Sequence, residues 1–212
     1  MNIREPRISV ITPTIRGQDA LIPVIESLKK QTFKDFEWIP EFGNPNVSDL
    51  NAAFNRLIRQ SRGELIVFLE DFTKIQPNGL SKFWEAYQKE PKFYTAPVGK
   101  TKDWKNVEWD WRTSEVAQMD WRMWEIDWAC APKKALYDIG GFDEDLDRGW
   151  GFDNVSVGYR AYLKGYKFEC LKDNPAIAYV HEVAPLRHKQ DPDLLNIRLD
   201  LIKHGLIINY LE

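Results

Sequence analysis

Two acidic residues directly follow a short apolar run, at positions where they can do chemistry. Glu70 and Asp71 come after Leu65–Leu69, an unbroken apolar stretch typical of a strand buried on both faces of a parallel sheet. In an open α/β sheet, ligands bind beyond the carboxyl ends of the strands. A carboxylate there can hold a hard divalent cation, and the cation can hold a diphosphate. The alternative, in which both acids are ordinary loop residues or cap the next helix, stays open.

The elements that must position these acids alternate between strands and helices. We predict strands over residues 8–12, 36–42, 65–69 and 92–97, and helices over residues 19–31, 50–60 and 77–89. Ser48 is a candidate N-cap of the second helix. This alternation predicts an α/β fold with a mostly parallel sheet and right-handed crossovers.

The second half of the chain is less regular. Residues 100–124 are polar, rich in tryptophan and hard to assign. Beyond them we predict strands over residues 126–131, 167–171 and 176–180, and helices over residues 132–139, 153–163 and 192–204. We find neither an internal repeat nor a low-complexity linker, which favours one domain over residues 1–212.

Composition narrows the class of protein. The net charge of −3 argues against a nucleic-acid partner, since such proteins usually carry a basic surplus. Cys130 and Cys170 lie too far apart for a metal motif and are expected to be reduced. Because the sequence has neither a membrane-length apolar run nor the apolar segment of a signal peptide, we expect a cytoplasmic protein without a transmembrane segment.

Several motifs occur in the order found in a known enzyme family. They are residues 8–14 (ISVITPT), 51–69, 127–132 (DWACAP), 140–144 (GGFDE) and 149–154 (GWGFDN). Together they resemble family 2 of the inverting GT-A glycosyltransferases. The resemblance implies a Rossmann-like GT-A fold with a nucleotide-binding half, residues 1–98, and a smaller acceptor half, residues 99–212. It also implies transfer of a hexose from a nucleotide sugar, a UDP-sugar in our interpretation, to the hydroxyl of a carbohydrate or glycosylated acceptor, with inversion.

The resemblance also implies roles for particular residues. The donor nucleotide is expected to contact Pro13, Thr14, Arg16, Glu41, Glu70 and Asp71. A divalent cation, Mn²⁺ or Mg²⁺, would be held by Asp71 and His181, and His188 is the alternative to His181 as a ligand. From the residues alone, a lone histidine at a strand end is more often structural than a ligand.

Three departures from the family pattern bear on the chemistry. Glu41 stands where the family usually has an Asp that meets the uracil base or the ribose, and its longer side chain can still accept those hydrogen bonds. Phe72 stands where the family has the second Asp of an Asp-x-Asp motif, so we expect weak metal affinity. The family's Glu-Asp pair is Asp153-Asn154 here, so one of two carboxylates is missing.

Asp153 is the candidate general base that takes the proton of the acceptor hydroxyl. A helix N-terminus would favour its ionised form. The competing interpretation makes Asp153 a helix N-cap, and one residue can do both. Asn154 is either an acceptor-binding amide or a structural hydrogen bonder.

Six of the nine tryptophans lie between residues 104 and 128, and aromatic faces can stack on sugar rings. We expect Trp128 and Trp150, together with Asp127 and Asn154, to line the substrate site. We expect Trp109 and Trp111 to serve mostly in packing, whereas Trp121 and Trp124 fit either the sugar site or the packing. Arg112 and Arg122 lie among these tryptophans and either bind phosphate or are solvated.

Two alternatives remain at this stage. One is a sugar- or nucleotide-binding protein of the same fold that has lost turnover, as the altered Asp-x-Asp and Glu-Asp motifs suggest. The other is a nucleotidyltransferase, although residues 13–17 form a poor version of its glycine-rich phosphate loop.

Overall fold

The structure is a computed structural model that describes residues 5–44, 49–110, 119–148, 152–180, 192–206 and 208–211. These residues form the strands β1 (Ile8–Thr14), β2 (Phe36–Phe42), β3 (Leu65–Leu69), β4 (Thr73–Ile75), β5 (Phe93–Thr95), β6 (Val98–Thr101), β7 (Trp128–Pro132), β8 (Phe168–Cys170) and β9 (Ala176–Tyr179). They form the helices α1 (Ile22–Lys29), α2 (Leu50–Gln60), α3 (Gly79–Lys89), α4 (Lys133–Asp138), α5 (Asp153–Leu163) and α6 (Pro192–Lys203). Short 3₁₀ helices cover Gln18–Leu21, Trp121–Met123 and Glu144–Arg148. Within these ranges, no helix has the length and apolar character needed to cross a membrane.

Six strands form the large sheet, in the order β2-β1-β3-β7-β5-β8. β1 is parallel to β2 and β3, and β5 is parallel to β8. β7 is antiparallel to both of its neighbours, β3 and β5, so the other five strands run in one direction. The prediction of an α/β fold with a mostly parallel sheet flanked by helices is confirmed.

β3 is covered on both faces, and all five of its residues are buried. Leu65, Val67 and Leu69 pack in one hydrophobic cluster with side chains of α1 and α3. Ile66 and Phe68 pack in a second cluster with side chains of α2, α4 and α5. Burying such side chains stabilises the fold by about 1.5–3 kcal/mol each, which explains why this strand is a continuous apolar run.

Gly63 allows the chain to enter β3 close beside β1. A Cβ at this position would lie 2.5 Å from the backbone nitrogen of Ser9 and 2.6 Å from the carbonyl carbon of Ile8. Any side chain would therefore separate the two strands, because both contacts are with backbone. The Gly63 amide also donates a 2.8 Å hydrogen bond to the Ser9 hydroxyl.

Three other strands form a second, smaller sheet in the order β4-β9-β6, and its strands do not pair with those of the large sheet. The sequence interpretation misses β4 and β6, and it joins β5 to the residues that follow as one strand over residues 92–97. The chain instead leaves the large sheet between β5 and β6, at Ala96-Pro97. Pro97 has no backbone N–H to donate to a ladder, so a strand is readily interrupted there.

Helix starts differ from the sequence predictions where a proline or a distant contact decides them. The helix predicted over residues 19–31 begins as the 3₁₀ turn Gln18–Leu21, and α1 follows with Pro23 in its first turn. Proline is tolerated in a first helical turn but not further along. Ser48 lies outside the described residues, and the N-cap of α2 is Asp49, without a capping side-chain bond.

Candidate functional site

The carboxyl ends of β1 and β3 bring three predicted residues together. The buried carboxylate of Asp71 accepts a 2.5 Å hydrogen bond from the Thr14 hydroxyl at Oδ2. Its Oδ1 atom forms a 2.6 Å ion pair with the Arg16 guanidinium, whose side chain is 41% exposed. Because β1 and β3 are parallel neighbours, both strands end at this edge. The positively charged Arg16 guanidinium therefore lies at the surface, where the Asp71 carboxylate, oriented by Thr14, holds it.

A second pair of acids lies where β3 ends and β7 begins. The Glu70 amide donates a 3.1 Å hydrogen bond to the carbonyl of Asp127, because the antiparallel β7 starts beside the end of β3. Asp127 forms an ion pair with Lys100 of β6. Burial, and next the charge of Asp127, raise the pKa of Glu70 well above its ordinary value. The predicted substrate residue Asp127 thus lies at this edge, but it is engaged by Lys100.

Phe72, which stands in place of the family's second acid, turns the chain out of the large sheet. It adopts a left-handed conformation with φ 55°. Its amide donates to the carbonyl of Ala20 at 2.7 Å, and its carbonyl accepts from the amide of Tyr179 at 3.1 Å. These two bonds fix the direction in which Asp71 leaves β3. Such strained backbone persists only where its surroundings enforce it, and it is concentrated at functional sites.

Pro13 and Glu41 lie side by side at the same edge, in register between β1 and β2. The Glu41 Oε1 atom accepts a 2.9 Å hydrogen bond from Nε of Arg56 and is also paired with its Nη2 atom. Arg56 reaches Asp49 as well, at 2.9 Å. The carboxylate expected to meet the base or ribose is therefore held by a helix-borne arginine.

Asp153, the candidate base, is the first residue of α5. The N-cap is Phe152, with φ 72° and no capping side-chain bond, so the competing interpretation of Asp153 as the N-cap does not hold. Asp153 instead accepts a 3.3 Å hydrogen bond from the amide of Asn51. Burial, and next the charge of Asp147, raise the pKa of Asp153 to about 6. A carboxyl with this pKa can exchange a proton near neutral pH.

Asp147 caps the start of α2 from a distance of 96 residues along the chain. Its two oxygens accept from the backbone amides of Asn51 and Ala52, at 2.8 and 3.0 Å. α2 follows β2, so its N-terminus lies at the edge of the sheet where Asp71 also lies. The sequence interpretation missed both Asp147 and Asn51. The acid-rich run after Gly141 was the one signal in the sequence that could have pointed to Asp147. The spacing of its acids does not indicate that one of them contacts the start of α2.

The tryptophans and Asn154 require corrections. Trp128 was expected to line the sugar site, but it is 0% exposed, packs against Phe83 and donates to the carbonyl of Asn174. A ring without exposed area has no face to offer a sugar. Conversely, Trp109 was assigned to packing and is 48% exposed. The Asn154 amide donates to the carbonyl of Trp124 at 2.7 Å, as the structural interpretation requires.

Several predicted residues lie outside the described part of the chain. They are Trp150, His181, His188, Trp111 and Arg112. Among the described residues, no group of three or more His, Cys, Asp or Glu could together hold a metal ion. Any cation site at Asp71 would therefore need ligands from the substrate, from water or from residues beyond those described.

The large sheet and its flanking helices form a fold that solved structures share. The structures that share it include crystal structures of S. aureus TarS. The TarS fragment 1–349 with UDP-GlcNAc superimposes with a TM-score of 0.69 at 17% identity, over 97% of this chain and 68% of that one. The fragment with UDP gives 0.63 at 16%, over 82% and 60%. TarS itself gives 0.62 at 16%, and this chain covers 40% of it.

At these identities the likeness concerns the fold alone, and the chain spans only part of the TarS chains. No protein-family model and no characterised protein sequence matches the chain.

Proposed function

We propose that this chain is a glycosyltransferase that moves a hexose from a UDP-sugar to an acceptor hydroxyl, with inversion. The observation that carries the proposal is that two carboxylates with different partners lie at the edge of the sheet. Asp71 is held by a cation and a hydroxyl, whereas Asp153 is held at a pKa of about 6. The two carboxylates thus lie in different environments, as carboxylates with separate roles in catalysis commonly do. The fold shared with TarS, which binds UDP and UDP-GlcNAc, supports a nucleotide-sugar donor.

On the donor side, Arg16 is the group best suited to a diphosphate. A guanidinium binds phosphate oxygens through two parallel hydrogen bonds, and that of Arg16 is partly exposed. The proposal includes a divalent cation beside Asp71, because Mg²⁺ sites commonly combine one or two carboxylates with substrate phosphates and water. Asp71 and His181 would hold Mn²⁺ or Mg²⁺ there. When bound, the cation would supply Lewis-acid stabilisation of the leaving diphosphate.

On the acceptor side, Asp153 takes the proton. The acceptor oxygen forms its bond to the anomeric carbon as its proton passes to the Asp153 carboxylate. The bond from that carbon to the diphosphate breaks, and the nucleoside diphosphate leaves with the electron pair. Inversion follows from attack on the face opposite the leaving group. With a pKa of about 6, Asp153 is mostly ionised at neutral pH and still basic enough to accept the proton.

A binding protein without turnover is the second candidate. The observation in its favour is that both oxygens of Asp71 already have partners, Thr14 and Arg16, and that Asn154 has a structural partner. In that case the chain binds the nucleotide sugar but does not transfer the sugar.

The test offers the protein UDP-hexoses, UDP-GlcNAc among them, with and without Mn²⁺. UDP affinity is measured by calorimetry, and UDP release by a coupled assay. We expect both binding and slow UDP release, with Asp71→Ala losing donor affinity. The matched control is Asp173→Ala, which removes an acid that is 75% exposed. Binding without release favours the second candidate, pyrophosphate release from UTP and a hexose 1-phosphate in a parallel assay indicates a nucleotidyltransferase, and no binding contradicts the proposal.

A further inference from the structure

One buried amide joins two acids at the start of α2. Asn51 is 0% exposed, and its Nδ2 atom donates to Oδ1 of Asp147 at 2.9 Å and to Oδ1 of Asp153 at 3.3 Å. The three residues come from different elements: α2, the 3₁₀ helix Glu144–Arg148 and α5. Asp147 is fixed in turn by two backbone amides of α2.

The other end of the same amide indicates what Asn51 is there for. Its Oδ1 atom is buried and has no hydrogen-bond partner among the residues that the structure describes. Turning the amide over would place this oxygen against the oxygens of two carboxylates, so the observed orientation is the one that the acids require. Leaving a buried acceptor unpaired costs free energy. The chain tolerates that cost at a position where the amide donor reaches both acids.

We propose that Asn51 is a positioning residue for the proposed base Asp153, and that it couples Asp153 to the charge of Asp147. The inference rests on the proposed function, since it concerns how that function's base is held. Asn51 engages the Oδ1 atom of Asp153, and we infer that the Oδ2 atom takes the proton of the acceptor. Asp147 opposes the ionisation of Asp153 through like-charge repulsion.

The charged groups around this pair set the expected direction of each effect. Asp147 faces Asp153 from the 3₁₀ helix, and Asp49 acts in turn on Asp147. The 3₁₀ helix Trp121–Met123 also packs against α5, and its Arg122 is paired with Asp120. The Asn51 hydrogen bond favours ionised Asp153, whereas Asp147 disfavours it. Removing one or the other should therefore move the pKa of Asp153 in opposite directions.

The chain offers a matched control one helical turn along. Asn55 is also 0% exposed, and it binds the carbonyl of Phe142 and the carboxylate of Glu144, both at 2.9 Å, instead of Asp153. Asn55→Ala removes a buried amide of the same type from the same helix. It should therefore lower stability much as Asn51→Ala does, but leave the titration of Asp153 unchanged.

The experiment follows the side-chain carboxyl carbon of Asp153 by ¹³C NMR across pH in the full chain, with the signal assigned from its loss in Asp153→Asn. Asn51→Ala is expected to raise the pKa of Asp153, and Asp147→Asn to lower it, each by about one pH unit. The acid limb of the UDP-release profile should move in the same directions, since the base must be ionised to act.

The outcomes separate the inference from the proposed function. Equal shifts of the Asp153 pKa in Asn51→Ala and Asn55→Ala would overturn the inference. An unchanged pKa of Asp153 in Asn51→Ala, or in Asp147→Asn, would overturn it as well. If Asn51→Ala does not fold, Asp147→Asn decides the matter, a lower pKa supporting the inference and an unchanged one overturning it. If the shifts occur but Asp153→Asn retains full turnover, the coupling stands and the assignment of Asp153 as base fails.

Discussion

At the scale of single residues, the candidate site is a set of carboxylates that differ in their partners. Asp71 is paired with a guanidinium and a hydroxyl, and Asp127 is paired with Lys100. Asp153 accepts a hydrogen bond from the Asn51 side chain and faces a like charge. An acid held this way is costly for the fold, and strained or destabilised groups are often retained for function.

This cost gives a stability prediction for Asp153→Asn. The folded-state pKa of Asp153 is about 6, above its ordinary value of 3.8, so the folded protein binds this proton more tightly than the unfolded chain. Ionised Asp153 therefore opposes folding above about pH 6, and the penalty vanishes below about pH 4, where both states are protonated. We expect Asp153→Asn to melt above wild type at pH 8, with the difference shrinking towards zero as the pH falls below 4.

The measurement is a set of melting curves across pH, with Asp173→Asn as the exposed control. The control should show no pH-dependent difference of this kind. A lower melting temperature for Asp153→Asn at pH 8 would mean that its ionised form stabilises the fold.

At the scale of elements, α6 holds the segment that carries Asp147. Arg198 of α6 binds both oxygens of Asp143, at 2.8 and 2.9 Å, in a pair of which Asp143 is 2% and Arg198 11% exposed. Arg160 of α5 donates to the carbonyls of Ile139 and Gly141, and burial lowers its pKa to about 10. The glycine-rich turn before Asp147 is thus fixed by two helices.

Breaking the pair from the α6 side should be expensive. Arg198→Met leaves the Asp143 charge buried without its ion-pair partner, which typically costs about 3–5 kcal/mol. For a chain of this size that corresponds to a fall of roughly 6–20 °C in melting temperature. Adding Asp143→Asn removes the orphaned charge and should recover part of the loss. The control is Arg122→Met, which breaks an exposed ion pair. If Arg198→Met melts at as high a temperature as this control, α6 does not hold the segment.

The elements that the sequence predicted best are those whose own pattern decides their bounds. β2, α2, β3 and α5 begin and end as predicted, because an apolar run or a helical stripe marks each of them. β4 and β6 are only three and four residues long, and partners distant in the sequence define them. Strands that short carry little periodicity to read.

Within the site, the strand-end acids were predictable and their partners were not. Glu70 and Asp71 stand out because they end an apolar run. Asn51 is unremarkable in a helix, and its contacts with Asp147 and Asp153 span about 100 residues of sequence. The location of Trp128 was missed for a related reason, since aromatic content does not tell a core ring from an exposed one.

At the scale of the whole molecule, both halves of the chain contribute to one edge of the large sheet. β1, β2 and β3 bring Thr14, Glu41 and Asp71, whereas the later part of the chain brings β7 with Asp127 and α5 with Asp153. The antiparallel β7 makes this possible, because its first residues lie beside the last residues of β3. The division into a nucleotide-binding half and an acceptor half stays a prediction.

The central claim is that Asp153 acts as a base opposite a nucleotide held at Asp71. The most direct measurement compares wild type with Asp153→Asn for UDP affinity and for the kcat of UDP release from a UDP-hexose that the wild type turns over. We predict unchanged UDP affinity and a kcat lower by roughly 10²–10⁴, the usual contribution of a general base. Full turnover by Asp153→Asn would contradict the account.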